Sequence, residues 1–399
     1  MMRTTANAEQ LEVDVVILGG GIVGAACAWA LSPLLRVAVI EKEMVFGYHA
    51  TGRSAALYSE YFTERTHKSL TRGSWDFLRT PPGGFATTPL LRPRGTLALA
   101  TAEDHADGRV ARSLAVTSDP DLPAEVVSLD SARSLCPVLN PQGYVDAIFR
   151  PRTWDIDVEA LHQGFLRGTR SLGGVLIPGS RLDHLSPDAA GWVARVTTPS
   201  GPHKLYARYM VNATGAWADD IARLAGLTAI DLKPQRRTIV YVEGLGPNPP
   251  PGRASWPMIN DLADTFYFKP ESQGLIICPC DATPSPPCDA QPEEIDIARA
   301  VDHLHRQTSI RISRLTNKWA GLRTFSPDRL PVIGAAPEND RFFWVVGQGG
   351  AGVQTAPATG RALAALLTTG ELPKDLCALG LTATELSPSR FQALKATLA

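Results

Sequence analysis

Charge imbalance is missing from this 399-residue chain: 39 Lys and Arg stand against 40 Asp and Glu, a net charge of -1. That excludes the broad basic surface by which proteins hold nucleic acid or anionic membranes, though not a local basic pocket. A long apolar run is also missing. The most hydrophobic early stretch, Val15 to Leu31, is broken by Gly19, Gly20, Gly21 and Gly24, which argues against a membrane span. Met1 to Gln10 has no apolar core of the kind a secretory leader needs and is expected to be a frayed tail. Cysteine is sparse, six in all, so no disulfide framework is expected and a reducing, cytoplasmic location is. Cys278-Pro279-Cys280 with Cys288 does not have zinc spacing and no histidine lies nearby, so no metal is expected.

What is present is ordinary in bulk: 44% apolar and 20% charged residues describe a soluble globular chain, long enough for two closely packed domains. Val13–Leu18 is β-branched and apolar, as a strand buried on both faces should be. It runs into Gly19-Gly20-Gly21-Ile22-Val23-Gly24 and then a helix-like run stopped at Ser32-Pro33. A second strand, Arg36–Ile40, ends at Glu41, seventeen residues past Gly24, with Lys42 following. Gly19 allows a tight turn, Gly21 lets backbone approach a pyrophosphate, and Gly24 allows helix and strand to pack closely. The helix start, Ile22 and Val23, offers free N–H groups to phosphate, and Glu41 can accept from a ribose hydroxyl. The fingerprint predicts a dinucleotide without separating NAD from FAD.

Phrases spread from about residue 13 to 370 make that choice: GYHATGRSAA, DIDVEALHQGFLRG, VNATGAWADDIARLAG, WPMI, FYFKP, KWAGLRTF and GQGGAGVQT. Together they resemble the FAD-dependent D-amino-acid oxidase superfamily, in the branch of glycine oxidase, sarcosine oxidase and bacterial D-amino-acid dehydrogenases. The wording is most similar to that of D-arginine dehydrogenases. The resemblance implies an α/β fold: a Rossmann-like FAD-binding domain from 11–75, 150–225 and 315–380. It adds a mostly antiparallel, α+β substrate domain from 76–149 and 226–314, with 381–399 as a C-terminal tail. Further cofactor contacts are implied at His49, Thr51, Arg53, Ser54, Ala55 and Ala56, and at Ala213, Thr214, Gly215 and Trp217. Gly349, Gly350, Gly352, Val353, Gln354 and Thr355 are expected at the flavin's pyrimidine end, with Thr355 as a candidate stabiliser of charge there. No cysteine lies between Gly321 and Asp328 where sarcosine oxidase relatives tether flavin, and a His49 link is the remaining covalent possibility. Non-covalent FAD is expected.

The resemblance also implies a carboxylate clamp from Arg237, Tyr267 and Arg323, with the turn at Gly350 beside the substrate amine. Arg323 sits in the apolar stretch Trp319-Ala320-Gly321-Leu322, where an unpaired guanidinium is costly unless a ligand answers it. Arg236 competes with Arg237 for the inward position. Where arginine-specific relatives have histidine, tyrosine and a guanidinium-binding glutamate, this chain has Leu57, Phe62 and Thr96. With Tyr61, these residues predict a pocket for an apolar or aromatic side chain instead of arginine. Glu60 is either a substitute acid or a solvated loop carboxylate. Ile276 matches the position of the oxygen-activating lysine, which favours a quinone or other carrier as electron acceptor. The expected reaction is oxidation of a D-amino acid to an imino acid, then a 2-oxo acid and ammonia. Alternatives are a secondary or N-methyl amine substrate, or a non-catalytic flavin-binding role.

Overall fold

The computed structural model describes residues 9–115, 121–243, 252–312 and 314–392. Its first sheet grows from the predicted fingerprint. The strand Glu9–Leu18 pairs in parallel with Val37–Ile40 on one side and with Gly201–Asn212 on the other. Val175–Ile177 continues the parallel order past Val37–Ile40, and Asn339–Val346 adds beyond the end of Gly201–Asn212. Four parallel pairings reached through crossovers are what a doubly wound nucleotide-binding sheet requires. The strand begins earlier than predicted: Gln10 is not in a frayed tail but pairs with Lys204.

The helix Ile22–Leu31 carries no polar face, because it is enclosed on all sides. It lies between the sheet and two other helices, Val158–Ser171 and Gly352–Thr369. A Cβ on Gly360 would stand 2.6 Å from the Ala26 carbonyl oxygen, so glycine is what lets the last helix come so close. Asp157 caps Val158–Ser171 by accepting a 2.9 Å hydrogen bond from the Ala160 N–H.

The second sheet holds strands from residues 96–150 and 233–325 and is antiparallel apart from one parallel pair, Met258–Asp261 with Thr96–Ala100. Lys233–Glu243 lies between Asn317–Phe325 and Gly274–Cys278, and Gly274–Cys278 pairs onward with Tyr267–Glu271. Arg237 is therefore inside a strand. One face of this sheet packs Phe266, Phe268, Val240 and Ile277 against the helix Glu294–Gln307; the other faces the first sheet's cofactor end.

A small third sheet joins Leu57–Ser59, Thr153–Ile156 and Leu91–Pro93. The segment expected as a C-terminal tail is docked as far as it is described. Leu386 and Phe391 are buried, and Arg390 donates to Asp328 and to the Leu330 and Pro331 carbonyls. The Pro-rich stretch at 246–251 lies outside the described residues. No helix among the described residues is long and apolar enough to cross a membrane.

Candidate active site

A cavity of about 370 Å³ opens between the two large sheets. Its near wall is the glycine turn. Gly19 has φ +98°, and a Cβ there would lie 2.6 Å from the Ala213 carbonyl oxygen. A Cβ on Gly24 would stand 2.0 Å from the Gly19 oxygen, so that glycine, which does not itself line the cavity, sets the crossing of helix and strand. The N–H groups of Gly21, Val23 and Gly24 find no acceptor among the described residues. Of these, Gly21 and Val23 line the cavity at the positive end of the helix, which fits a pyrophosphate.

Neighbours hold this turn in shape. Ile22 N–H donates to Thr51 Oγ1 at 2.9 Å, and a ring nitrogen of buried His162 meets the Gly20 carbonyl at 2.9 Å. Glu41 accepts from the Gly20 N–H (2.8 Å) and the Glu43 N–H (2.9 Å). A carboxylate has room for further donors, so these two bonds orient Glu41 and leave capacity for ribose hydroxyls. Sequence reasoning missed His162, whose partner is a backbone atom 142 residues away; no local signal marks such a contact.

Between the glycine turn and the second sheet the cavity is bounded by Lys42, His49, Arg53, Ser54, Ala55, Ala213, Thr214, Gly215 and Trp217, all on its wall. Lys42 Nζ sits 4.1 Å from the Trp217 ring centroid, and the His49 ring lies 4.7 Å from the same ring. His49 Nε2 is 2.8 Å from Glu43 Oε1. Arg53 donates to the Ala290 and Ala320 carbonyls and pairs with Asp289, to which Tyr48 also donates. Ala56 is off the cavity wall, its carbonyl taking the Ile156 N–H.

The far wall is the second sheet. Antiparallel register sets Arg237 opposite Gly321 and Arg323 opposite Gln235. Both arginines therefore stand on one face as diagonal neighbours, about 7–8 Å apart at the backbone. Tyr267 shares that face and the cavity wall, while Phe266 and Phe268 point into the core. Arg236 points away and is bound by Glu293, Asp296 (3.2 Å) and Asp281 (3.7 Å), which resolves which arginine turns inward. The Arg323 side chain makes no hydrogen bond or ion pair with any described residue and packs against Gly350, where a Cβ would stand 3.3 Å from Nη1. Arg237 Nε is buried without a partner, and its nearest carboxylate, the exposed Asp264, is 4.0 Å away. Burial works against the Arg237 charge, but the Cys278 and Cys280 sulfurs and Asp264 outweigh it and push its pKa up. Burial, with Cys278 adding to it, pushes the Tyr267 phenol well up, so it keeps its proton.

Gly349, Gly350, Gly352 and Val353 close this end, with Gly349 at φ +52° and its would-be Cβ 2.5 Å from Phe325. Gln354 and Thr355 do not face the cavity. Gln354 accepts from the Ser59 N–H at 2.8 Å, and Thr355 Oγ1 donates to the Ala351 carbonyl at 3.0 Å, one turn back in its own helix.

The expected side-chain pocket is not assembled on the cavity wall, for Leu57, Glu60, Tyr61, Phe62 and Thr96 all lie off it. Glu60 is neither solvated nor free: it is buried, accepts from Tyr58 (2.8 Å) and pairs with Arg72 at 2.6 Å. Phe62 stacks on His67 at 5.5 Å, and Tyr61 donates to the Pro123 carbonyl at 2.7 Å. Thr96 is paired with Arg150, whose guanidinium lies 4.9 Å from the Tyr61 ring centroid. No group of three His, Cys, Asp or Glu able to hold a metal occurs among the described residues.

Residues 14–366 match the FAD dependent oxidoreductase family, DAO. Glycine oxidase of Geobacillus kaustophilus is 24% identical over 387 residues, covering 92% of this chain and 96% of its own. The hydrogen cyanide synthase subunit HcnC of Pseudomonas aeruginosa is 26% identical over 423 residues, covering 91% and 94%. Among solved structures, L-proline dehydrogenase from P. horikoshii superposes with a TM-score of 0.78 at 22% identity, over 97% of this chain and 99% of that one. The glycine-turn donors, the oriented Glu41 and the wall of small residues fit an FAD, and the family match spans nearly the whole chain. The chain belongs to the FAD-dependent oxidoreductase (DAO) family, and its cofactor is FAD.

Proposed function

We propose that the protein oxidises the carbon–nitrogen bond of a D-amino acid, giving an imino acid that water converts to a 2-oxo acid and ammonia. The observation that carries this reading is a pair of guanidinium groups, Arg237 and Arg323, on one face beside Tyr267, answered among the described carboxylates only by the exposed Asp264 at 4.0 Å from Arg237. Such a pair is expensive to keep unless a ligand carboxylate answers it. FAD supplies the hydride acceptor; every other requirement falls on the chain. Arg323 and Arg237 fix the substrate carboxylate, and the protonated Tyr267 hydroxyl adds a third donor. Gly350, without a side chain, leaves room for the amine beside Arg323.

A cationic side chain is disfavoured because, among the described residues, the one acid lining the cavity is Glu41 at the glycine turn, and Glu60 is already bound by Tyr58 and Arg72. We therefore favour an apolar or aromatic side chain over arginine, although the resemblance is to D-arginine dehydrogenases. For the acceptor we favour a quinone or other carrier over oxygen, because Ile276 offers no cation. Lys269, its neighbour across the strands, is tied to Asp155 (2.8 Å) and Glu271 (3.0 Å). FAD is held without a covalent bond in this reading. His49 is engaged by Glu43, and acid precipitation should leave all yellow colour in the supernatant.

Anaerobic mixing with a panel of D-, L- and N-methyl amino acids tests the function. Fast flavin bleaching by apolar or aromatic D-amino acids is expected. Preference for N-methyl or secondary amines would move the reading to that class, and no bleaching with any amine would end it.

A further inference from the structure

Behind Arg237 and Tyr267 lies a pair of thiols that the proposed reaction does not use. Cys278 ends the strand Gly274–Cys278 directly across from Tyr267 and is fully buried. Pro279 and Cys280 then turn the chain sharply, Cys280 adopting φ +52°. That left-handed conformation is uncommon for a side-chain-bearing residue and brings Cys280 back toward its neighbour. The Cys280 N–H donates to Cys278 Sγ at 3.3 Å, which folds the two cysteines back on one another. Arg237 Nη1 approaches Cys278 Sγ at 3.9 Å. Cys280 Sγ is 3.4 Å from Asp264 Oδ1 and is only half-buried, so the pair is reached from the outer face.

We propose that Cys278 and Cys280 are a redox-responsive dithiol whose closure to a disulfide removes negative charge from Arg237. The electrostatics suit the chemistry. Burial opposes ionisation of Cys278, but the Cys280 thiol and Arg237 bring its pKa down to about 7. Hydrogen bonding to that thiolate, then burial, pushes Cys280 up, so it keeps its proton. A thiolate beside a protonated thiol is the state from which oxidation proceeds. With hydrogen peroxide as oxidant, the Cys278 thiolate takes one oxygen and, with a proton, becomes a sulfenic acid as water leaves. Cys280 sulfur then attacks that sulfur, the S–S bond forms and a second water departs. Two thiols are oxidised by two electrons, and one peroxide is reduced to two waters.

The effect on binding rests on the clamp reading above; bond formation does not. With the thiolate present, Arg237 already faces one anion, and an incoming carboxylate is repelled by it. With the disulfide formed, that repulsion is gone. Holoenzyme is treated with a small excess of peroxide, alkylated, digested and analysed by mass. The expected product is a Cys278–Cys280 bridge that survives Cys288→Ser. Persistently alkylatable thiols, or a bridge that needs Cys288, would refute the dithiol. Benzoate, a simple carboxylate probe, is then titrated by flavin absorbance. Oxidised enzyme should bind it at least ~3-fold more tightly than reduced enzyme, because a neighbouring anion has been removed. Cys278→Ser should bind tightly with or without peroxide. If Cys278→Ser perturbs packing, Cys280→Ser gives the second arm: peroxide forms no bridge and leaves Cys278 as a sulfenic acid that dimedone labels, whereas the parent closes its bridge and takes no label. Bridging with equal affinities in both states would refute the coupling to Arg237. Failure of benzoate to bind either state would refute the clamp while leaving the bridge standing.

Discussion

Arg323→Ala separates binding from stability. Most partly buried arginines hold their surroundings together, and deleting one destabilises the fold. Arg323 does not: its side chain has no hydrogen bond or ion pair with any described residue, and its neighbour is the side-chain-free Gly350. Its removal therefore strands no carboxylate. The unfolding midpoint should stay within about 0.5 kcal/mol of the parent, as for a substitution with no partner to orphan. Catalysis is another matter. Hydrogen bonds to a charged group contribute about 1.5–3 kcal/mol each. At about 1.4 kcal/mol per decade, KM should rise by roughly 10- to 150-fold. Arg323→Lys keeps the charge but loses the planar fork and should fall between parent and alanine. Steady-state kinetics on the best substrate of the panel, with thermal denaturation of the same samples, reads both quantities. A KM within threefold of the parent, or a collapse in stability, would refute the assignment of Arg323 to a ligand.

The adjacent Arg236 should behave in the opposite way. Among the described residues, Arg236→Ala takes its one ion-pair partner from Asp281 and leaves Asp296 only Arg299, each aspartate side chain being only 3% exposed, and a loss of about 3–5 kcal/mol is expected in denaturant unfolding. Gly24→Ala places a methyl 2.0 Å from the Gly19 oxygen; the purified protein should lose its FAD absorbance, and full retention would contradict the tight turn. Burial holds His67, His162 and His303 below the ordinary 6.5. The unfolded chain thus takes up protons first, so stability complete at pH 7.5 should fall as pH drops through about 6.5. His162→Gln, which keeps a donor for Gly20, should reduce the fall in Tm between pH 7.5 and 5.5; an unchanged slope would remove His162 from the account.

The cofactor end was legible in the sequence because its physics is local. A strand, three glycines, a helix and a terminal acid lie within thirty residues, and each constrains the next. Arg237 could not be told from Arg236 in the same way, since strand alternation leaves either facing inward. The decision comes from Asp281, Glu293 and Asp296, forty to sixty residues on. The segment from Leu57 to Phe62 was misread for a related reason. Pairing with Thr153–Ile156 and the Arg72 ion pair absorb its side chains, and neither partner is marked locally. Thr355 was misplaced because a threonine inside a helix readily bonds its own preceding turn. The thiol pair was weighed as a metal site only. Its character comes from a left-handed Cys280 and a guanidinium on another strand.

The contact between Tyr48 and Asp289 spans 241 positions of the chain, and the first strand waits for residues 203–212 to gain its second parallel neighbour. Emerging from a ribosome, the strand, glycines and helix of the turn are all present within the first fifty residues, yet one edge of the strand stays bare until about half the protein is made. An apolar open edge of that duration is a hazard for misassociation. A chain arrested before about residue 290 would carry the cofactor's phosphate-binding turn without the residues that roof it over. Release of such fragments should yield aggregates, and FAD supplied early would have no closed chamber to enter.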